Sequence, residues 1–422
     1  MLYDKFMVSK KNLFNFFSFF LYATLIFGFI IGEDLNGGAK NDFYGIVGVA
    51  NAFVQNFEYS FFNYEDLRER HSPVIAMIIA ELIQAGLEIQ IIQLIFLHIC
   101  LLLIVYFYKS LKIVFSNINS LWLKYLSLII FLSPTFRALA IWPDSRIIGL
   151  LFFTMSLYYF LKFKLTKKEV KYVFANSFFL AASSYFSPNF CVFSIYFFIE
   201  YLIFYKKKKE LLYYIILNIF LAMPAFYYLF ILDVFFLHGG GTPGANDYLS
   251  NYSFISYFSN KILIISSIIF FYLIPFILSK KENIINIELN KYFLILIVIF
   301  LLNIIFFDYN LELTGGGIFF KFTNIFFNNN YLFYFIAFVS FYFIYQKFMN
   351  WNNFLIIFIL ILSNPQLTIY HKYYDPLLTI LFFTIFKINL DKKYFNLKNL
   401  SILYLFYSMF IIASVYKVNF IY

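Results

Sequence analysis

The chain has four arginines, two cysteines, four histidines and nine prolines in 422 residues, and only 13% of it is charged. Each scarcity removes a class of protein. Cys100 and Cys191 both lie inside apolar stretches, which excludes a disulfide framework and a cysteine metal site. Charge this sparse excludes a soluble domain, in which about a quarter of residues are charged. The net charge of +10 comes mainly from lysines in short polar connections, where they orient a membrane protein and meet anionic headgroups. It is no signal for nucleic acid. What remains is 63% hydrophobic and 25% aromatic, with 65 Phe and 37 Tyr. Aromatic stripes are so common here that they mark lipid-facing or core positions rather than binding platforms.

The pattern is that of an all-α polytopic membrane protein with about thirteen transmembrane helices. Apolar stretches at 13–31, 89–108, 121–133, 147–161, 173–185, 190–205, 211–232, 262–278, 293–307, 331–345, 354–369, 376–386 and 400–416 read as spans. The first follows basic residues but is long enough to cross and lacks a small-residue cleavage site. Between it and the second lies a connection with two interfacial helices expected at 43–62 and 73–87. Treating 73–87 as a span would put the Lys162 to Lys171 cluster outside. Lysine groups such as Lys5, Lys10 and Lys11, Lys206 to Lys209, and Lys280 and Lys281 mark alternate connections as cytoplasmic, and so place the N-terminus there. A single transmembrane domain, 1–422, is expected, with no internal repeat.

All four arginines, Arg68, Arg70, Arg137 and Arg146, fall in the other connections, against the positive-inside bias, with Lys40, Lys261, Lys321, Lys372 and Lys417. An arginine kept there points to a bound anion. Most of the 22 acidic residues share this outer side, as do His71, His238 and His371 and the glycine runs at 37–38, 239–241 and 315–317. Glycine runs either form anion-binding concavities or simply supply turns.

Two places concentrate these residues. One is Gly37-Gly38-Ala39-Lys40-Asn41-Asp42-Phe43, followed by Arg68-Glu69-Arg70-His71-Ser72-Pro73. The other is Arg137 to Arg146, with Trp142-Pro143-Asp144-Ser145-Arg146. A first helix, an outer loop with an Asp before an interfacial helix, a His/Pro entry to a second one, and another Asp in the next outer loop together resemble the GT-C superfamily. These are polyprenyl-phosphate-dependent membrane glycosyltransferases, including protein O-mannosyltransferase-like and lipid A aminoarabinose transferase-like families. The resemblance covers about residues 13–205, making 1–205 a catalytic core module and 206–422 a variable half. Arg-His-Ser-Pro replaces the paired-proline entry of many relatives, and no soluble C-terminal domain follows, which leaves the acceptor (glycan, lipid or protein) open.

The resemblance implies sugar transfer on the extracytoplasmic face of a bacterial plasma membrane. Attack by an acceptor hydroxyl on an anomeric carbon needs a general base, and the departing phosphate needs fixed positive charge in a partly dry site. Asp42 is the expected base, with Asp34 second. Arg137, Arg146, Arg70 and His71 are expected at the phosphate. Asp144 either orients acceptor or arginine, or is a helix cap and Arg146 partner. No cofactor is certain from the sequence; a divalent metal bridged by Asp42 and Asp144 is compatible with it, although nothing in the spacing demands one. Asp375, after His371-Lys372-Tyr373-Tyr374, either closes the site or anchors a helix end. The alternatives are an O-antigen or capsule polymerase or ligase, and a lipid-linked sugar flippase or transporter.

Overall fold

The computed structural model describes residues 2–67, 72–166, 169–205, 208–230, 254–279, 291–310, 315–348, 350–364, 368–388, 390 and 394–420. Among these there is no strand, and the chain is an all-α, multi-pass membrane protein. Six helices are long and apolar enough to cross: Asn12–Ile31, Ile89–Val114, Ser145–Leu165, Lys209–Tyr227, Tyr257–Ser279 and Leu397–Val418. A seventh candidate is a bent pair, Ser120–Leu132 and Pro134–Ile141, meeting at 66°.

In chain order the first half holds α1 (Leu2–Ile31), α2 (Ala39–Gln55), α3 (Phe57–Phe62), α4 (Val74–Gln84), α5 (Ile89–Val114), α6 (Ser120–Leu128), α7 (Pro134–Ile141), α8 (Ser145–Leu165), α9 (Val170–Phe186) and α10 (Phe193–Phe204). The second half holds α11 (Lys208–Phe230), α12 (Phe254–Ser279), α13 (Lys291–Ile305), α14 (Gly317–Phe327), α15 (Tyr331–Phe348), α16 (Trp351–Leu362), α17 (Leu377–Phe382) and α18 (Leu397–Phe420). Two differences from the sequence reading stand out. The stretch at 376–386 holds only the six-residue α17, about 9 Å long at the usual helical rise and far short of a bilayer. Conversely, α14 was not expected at all, because the glycine run before it reads as a turn.

The helix ends that matter follow local rules. Gly32, at φ 69°, terminates α1: its amide bonds to Phe29 O at 3.2 Å and that of Glu33 to Gly28 O at 2.8 Å. This paired closure requires a left-handed residue, which glycine adopts without Cβ strain. It also turns Glu33 back over the end of α1. The same closure ends α4 at Gly86, with Gly86 N to Ile83 O and Leu87 N to Leu82 O. The expected interfacial helix at 43–62 is broken at Asn56, whose side chain accepts from Tyr59 N at 3.0 Å and so caps α3.

In the first half, α8 is central, packed against α9 and α5. Gly149 allows the first contact, since a Cβ there would sit 2.8 Å from Ser187 Cβ and 3.2 Å from Ser183 O. Polar groups add to it: Ser183 Oγ donates to Gly149 O, and the Asn176 side-chain amide donates to Ser156 O and Oγ. Buried polar pairs of this kind hold helices together where lipid gives no hydrophobic drive. In the second half, α12 plays the same part, touching α14, α15, α16 and α18. The halves meet where α11 packs on α9, where α18 packs on α7 and on the turn before it, and where α10 meets α16.

Candidate functional site

Among the described residues, Glu33, Asp34, Asp42, Arg137, Asp144 and Arg146 gather at one end of the bundle, where α1 stops and α8 starts. Arg137 lies on α7, every residue of which is buried. Its Nε and Nη2 donate to the two carboxylate oxygens of Glu33 at 2.6 and 2.7 Å, and Nη2 and Nη1 also reach Thr24 O and Oγ1. The arginine expected at a lipid phosphate is here paired with Glu33. Its planar fork is already matched to a carboxylate, and Gly28 leaves room for the pair, because a Cβ there would lie 2.6 Å from Glu33 Oε2.

Asp34 likewise has a structural task. Its carboxylate accepts from the amides of Asn36, Gly37 and Lys40 at 3.2, 3.0 and 3.1 Å, seating the first turn of α2. That accounts for the glycines at 37–38 as a turn, with Gly37 at φ 71°. Asp144 is the N-cap of α8, accepting from Arg146 N at 3.0 Å and from Ser145 Oγ at 2.9 Å, and is fully buried. Of the readings open to it, the helix cap is the one visible in these contacts.

Asp42 differs. It remains about one-quarter exposed in the first turn of α2 and pairs with Lys372 at 3.1 Å. Lys417 stands beside this pair. Lys417 interacts electrostatically with Lys321, Lys372 and Asp34, and Lys40 lies 5.4 Å over the Trp142 ring. Trp142 in turn donates to Glu33 O at 3.0 Å and packs on Phe43 and Tyr44, tying the α7–α8 connection to the start of α2.

A strap from the second half, residues 368–376, closes over this end. Consecutive residues of one helical turn reach different elements: Lys372 meets Asp42, and the Tyr373 ring stacks 4.0 Å from the Arg146 guanidinium. Asp375 accepts from Ser133 Oγ at 2.6 Å and Thr135 N at 3.0 Å at the N-terminus of α7. These bonds tie the strap to the start of α7. Burial pushes the Asp375 carboxyl up, against the pull of these hydrogen bonds. His371 anchors the other side. Its ring is enclosed by Phe271, Tyr272 and Phe410, and Tyr272 Oη lies 3.0 Å from Nε2. Burial, reinforced by the Lys417 ammonium, pushes its pKa from 6.5 down to about 3, so the imidazole is neutral.

The glycines at 315–317 serve the strap. All three have positive φ, Gly316 N donates to Ile369 O at 2.9 Å, and a Cβ on Gly315 would lie 2.9 Å from that same oxygen. Only glycine allows the backbones to come so close.

Arg146 borders a small, partly open cavity of about 20 Å³, room for little more than a water, with Ser187, Asn189, Ser363, Asn364 and Tyr373. Its Nη1 is buried without a hydrogen-bond partner and lies 4.0 Å from Asp144 Oδ2. Arg70 and His71, expected at the phosphate, lie outside the described residues, as do His238 and the glycines at 239–241. No group of three or more potential metal ligands stands together among the described residues. Lys372, Lys321 and Lys417 were passed over in the sequence because they are scattered in lysine-rich context. Their position against the charge bias, shared with the arginines, was the usable signal. No family model, curated protein or solved structure matches the chain.

Proposed function

We propose that the chain is a membrane glycosyltransferase of the GT-C kind. It moves a sugar from a polyprenyl-phosphate donor to an acceptor on the extracytoplasmic face of a bacterial plasma membrane, in envelope glycan or glycolipid synthesis. The observation that carries this reading is the Asp42–Lys372 pair: an accessible carboxylate beside a cluster of cations, at the end of the bundle where the positive-inside rule makes cations scarce. The order of elements agrees with it: a first helix, then α2 with α3, then α4, then the next long helix. In this reading α2 and α4 lie in the interface, and the shorter apolar helices bring the crossings towards thirteen.

The chemistry needs two groups of opposite charge close together. Donor phosphate draws Lys372 away from Asp42, with Lys321, Lys417 and Lys40 sharing the anion. The released carboxylate accepts the proton of an acceptor hydroxyl as its oxygen attacks the anomeric carbon. The bond from that carbon to the phosphate oxygen breaks, and the lysines neutralise the leaving phosphate. Arg137 takes no part, and lysine replaces arginine as the main phosphate group.

The test is transfer from polyprenyl-phosphate-linked hexose, N-acetylhexosamine and pentose donors in proteoliposomes containing a membrane glycan and lipid extract. Transfer that depends on Asp42 supports the reading. Donor left intact by wild-type protein with every sugar ends it.

A further inference from the structure

We propose that Asp375 is a positioning residue that acts through Lys372: with α7 as the shared reference, it holds the Lys372 ammonium against Asp42. The inference rests on the glycosyltransferase reading for what that pair does, and goes beyond it by assigning what keeps the pair together.

The two partners come from opposite halves of the chain, and each is tied to a different end of α7. At its N-terminus, Ser133 Oγ accepts from Phe136 N at 2.9 Å and donates to Asp375 Oδ2 at 2.6 Å. Thr135 N donates to the same carboxylate oxygen at 3.0 Å. Asp375 lies three residues beyond Lys372 on the strap. At the other end, Trp142 closes α7, donates to Glu33 O at 3.0 Å and packs on Phe43, the neighbour of Asp42, with ring centroids 6.1 Å apart. Arg137, from the middle of the helix, holds the Glu33 carboxylate. Every residue of α7 is buried, so this helix of about 12 Å is a fixed spacer between the strap and the start of α2.

The lysine needs such a spacer. Its ammonium rides on a flexible four-carbon stem, and holding it 3.1 Å from Asp42 costs side-chain entropy. A backbone fixed close by keeps the ammonium within reach. Ile369 and His371 fasten the strap to the second half, through Tyr309, Gly316 and Tyr272. Those anchors leave its distance to α2 unset. Tyr373 stacks on Arg146 of α8, a contact that tolerates sliding, whereas two directional hydrogen bonds to one buried oxygen do not. Because both bonds fall on Oδ2, an amide oxygen can take its place: Asp375→Asn keeps the attachment and Asp375→Ala removes it.

The experiment is zero-length crosslinking of the full-length protein in nanodiscs with a water-soluble carbodiimide. The reagent activates the Asp42 carboxylate, and the Lys372 amine displaces the urea by-product to leave an amide when the two are in contact. Mass spectrometry follows the joined peptides, with Lys164 and Glu200, 2.6 Å apart on α8 and α10, as the internal reference. Asp375→Ala should slow formation of the Asp42–Lys372 amide roughly 5-fold or more, the equilibrium change for two lost hydrogen bonds, and leave the reference unchanged. Asp375→Asn should stay within about 2-fold of wild type. Ser133→Ala removes one of the two bonds to Asp375 and should slow the reaction roughly 2- to 5-fold, and it carries the test if Asp375→Ala fails to insert. Binding of short-chain polyprenyl phosphate in the same nanodiscs should weaken with Asp375→Ala, but not further once Lys372→Gln is present. Unchanged crosslinking in Asp375→Ala or Ser133→Ala protein overturns the proposal. So does a parallel fall of both crosslinks, an Asp375→Asn protein as slow as Asp375→Ala, or losses in lipid binding that add to those of Lys372→Gln. The expected crosslinking pattern together with no binding of the lipid by wild type removes the glycosyltransferase reading and leaves the role of Asp375 standing.

Discussion

Arg137→Met separates a structural arginine from a phosphate-binding one. The substitution leaves the Glu33 carboxylate without its cation at a place where the arginine side chain is 7% exposed and the glutamate 16%. Two charge-assisted bonds of 2.6 and 2.7 Å disappear, together with the links to Thr24. Removing one member of a buried ion pair costs about 3–5 kcal/mol, most of it from the charge left behind. Removing both is far milder, so the double change Arg137→Met with Glu33→Gln should recover about 1.5–3 kcal/mol relative to the sum of the single changes. Unfolding of the purified protein in mixed micelles, followed by circular dichroism against denaturant, gives the four free energies of this cycle. An Arg137→Met protein within about 0.5 kcal/mol of wild type and impaired in binding polyprenyl phosphate would refute the reasoning, because the guanidinium would then serve a ligand and not Glu33.

Gly28→Ala forces a methyl to within 2.6 Å of Glu33 Oε2 and 3.0 Å of Arg137 Nη2, and should cost about 1–3 kcal/mol by overpacking, less in a Glu33→Ala background, as the same unfolding assay measures. Asp42→Asn should lower sugar transfer by at least about 10²-fold, the contribution of a general base, with the amount of inserted protein unchanged on immunoblots; unaltered transfer would remove Asp42 from the mechanism. His371, ordinarily titrating at 6.5 but held down to about 3, binds fewer protons folded than unfolded. Its contribution is therefore fully present above about pH 6.5 and is lost as the medium is acidified towards pH 3, by up to about 1.4 kcal/mol per pH unit. Melting curves at pH 7 and pH 5 should diverge for wild type and converge for His371→Phe. For orientation, a cysteine at Asn63 should be labelled by an impermeant maleimide on intact cells and one at Lys209 spared; the reverse pattern would invert the topology.

The sequence by itself determined the solvent this protein lives in and much of its local punctuation. Long apolar runs with little charge require backbone groups satisfied within helices, and the described residues form helices joined by short connections, with no strand among them. Gly32 and Gly86 end helices as their flanking sequence demands, and Asp144 before Ser145 starts α8. These are short-range signals, complete within about five residues, so no knowledge of packing is needed to read them. The partners of the polar residues were not legible. Glu33 and Arg137 are 104 residues apart, Ser133 and Asp375 242, and Asp42 and Lys372 330. In a soluble protein the apolar stripe of each helix would indicate which face turns inward, and so which charges converge. Here Phe, Ile and Leu occupy the lipid face and the core face alike, and the periodicity that normally encodes packing is nearly silent. Only the tertiary structure could decide that Arg137 is consumed by Glu33 while Arg146 lines a cavity, because that choice depends on how α1, α7, α8 and the 368–376 strap stack together. The same stacking took a lysine from the far half of the chain and set it against Asp42.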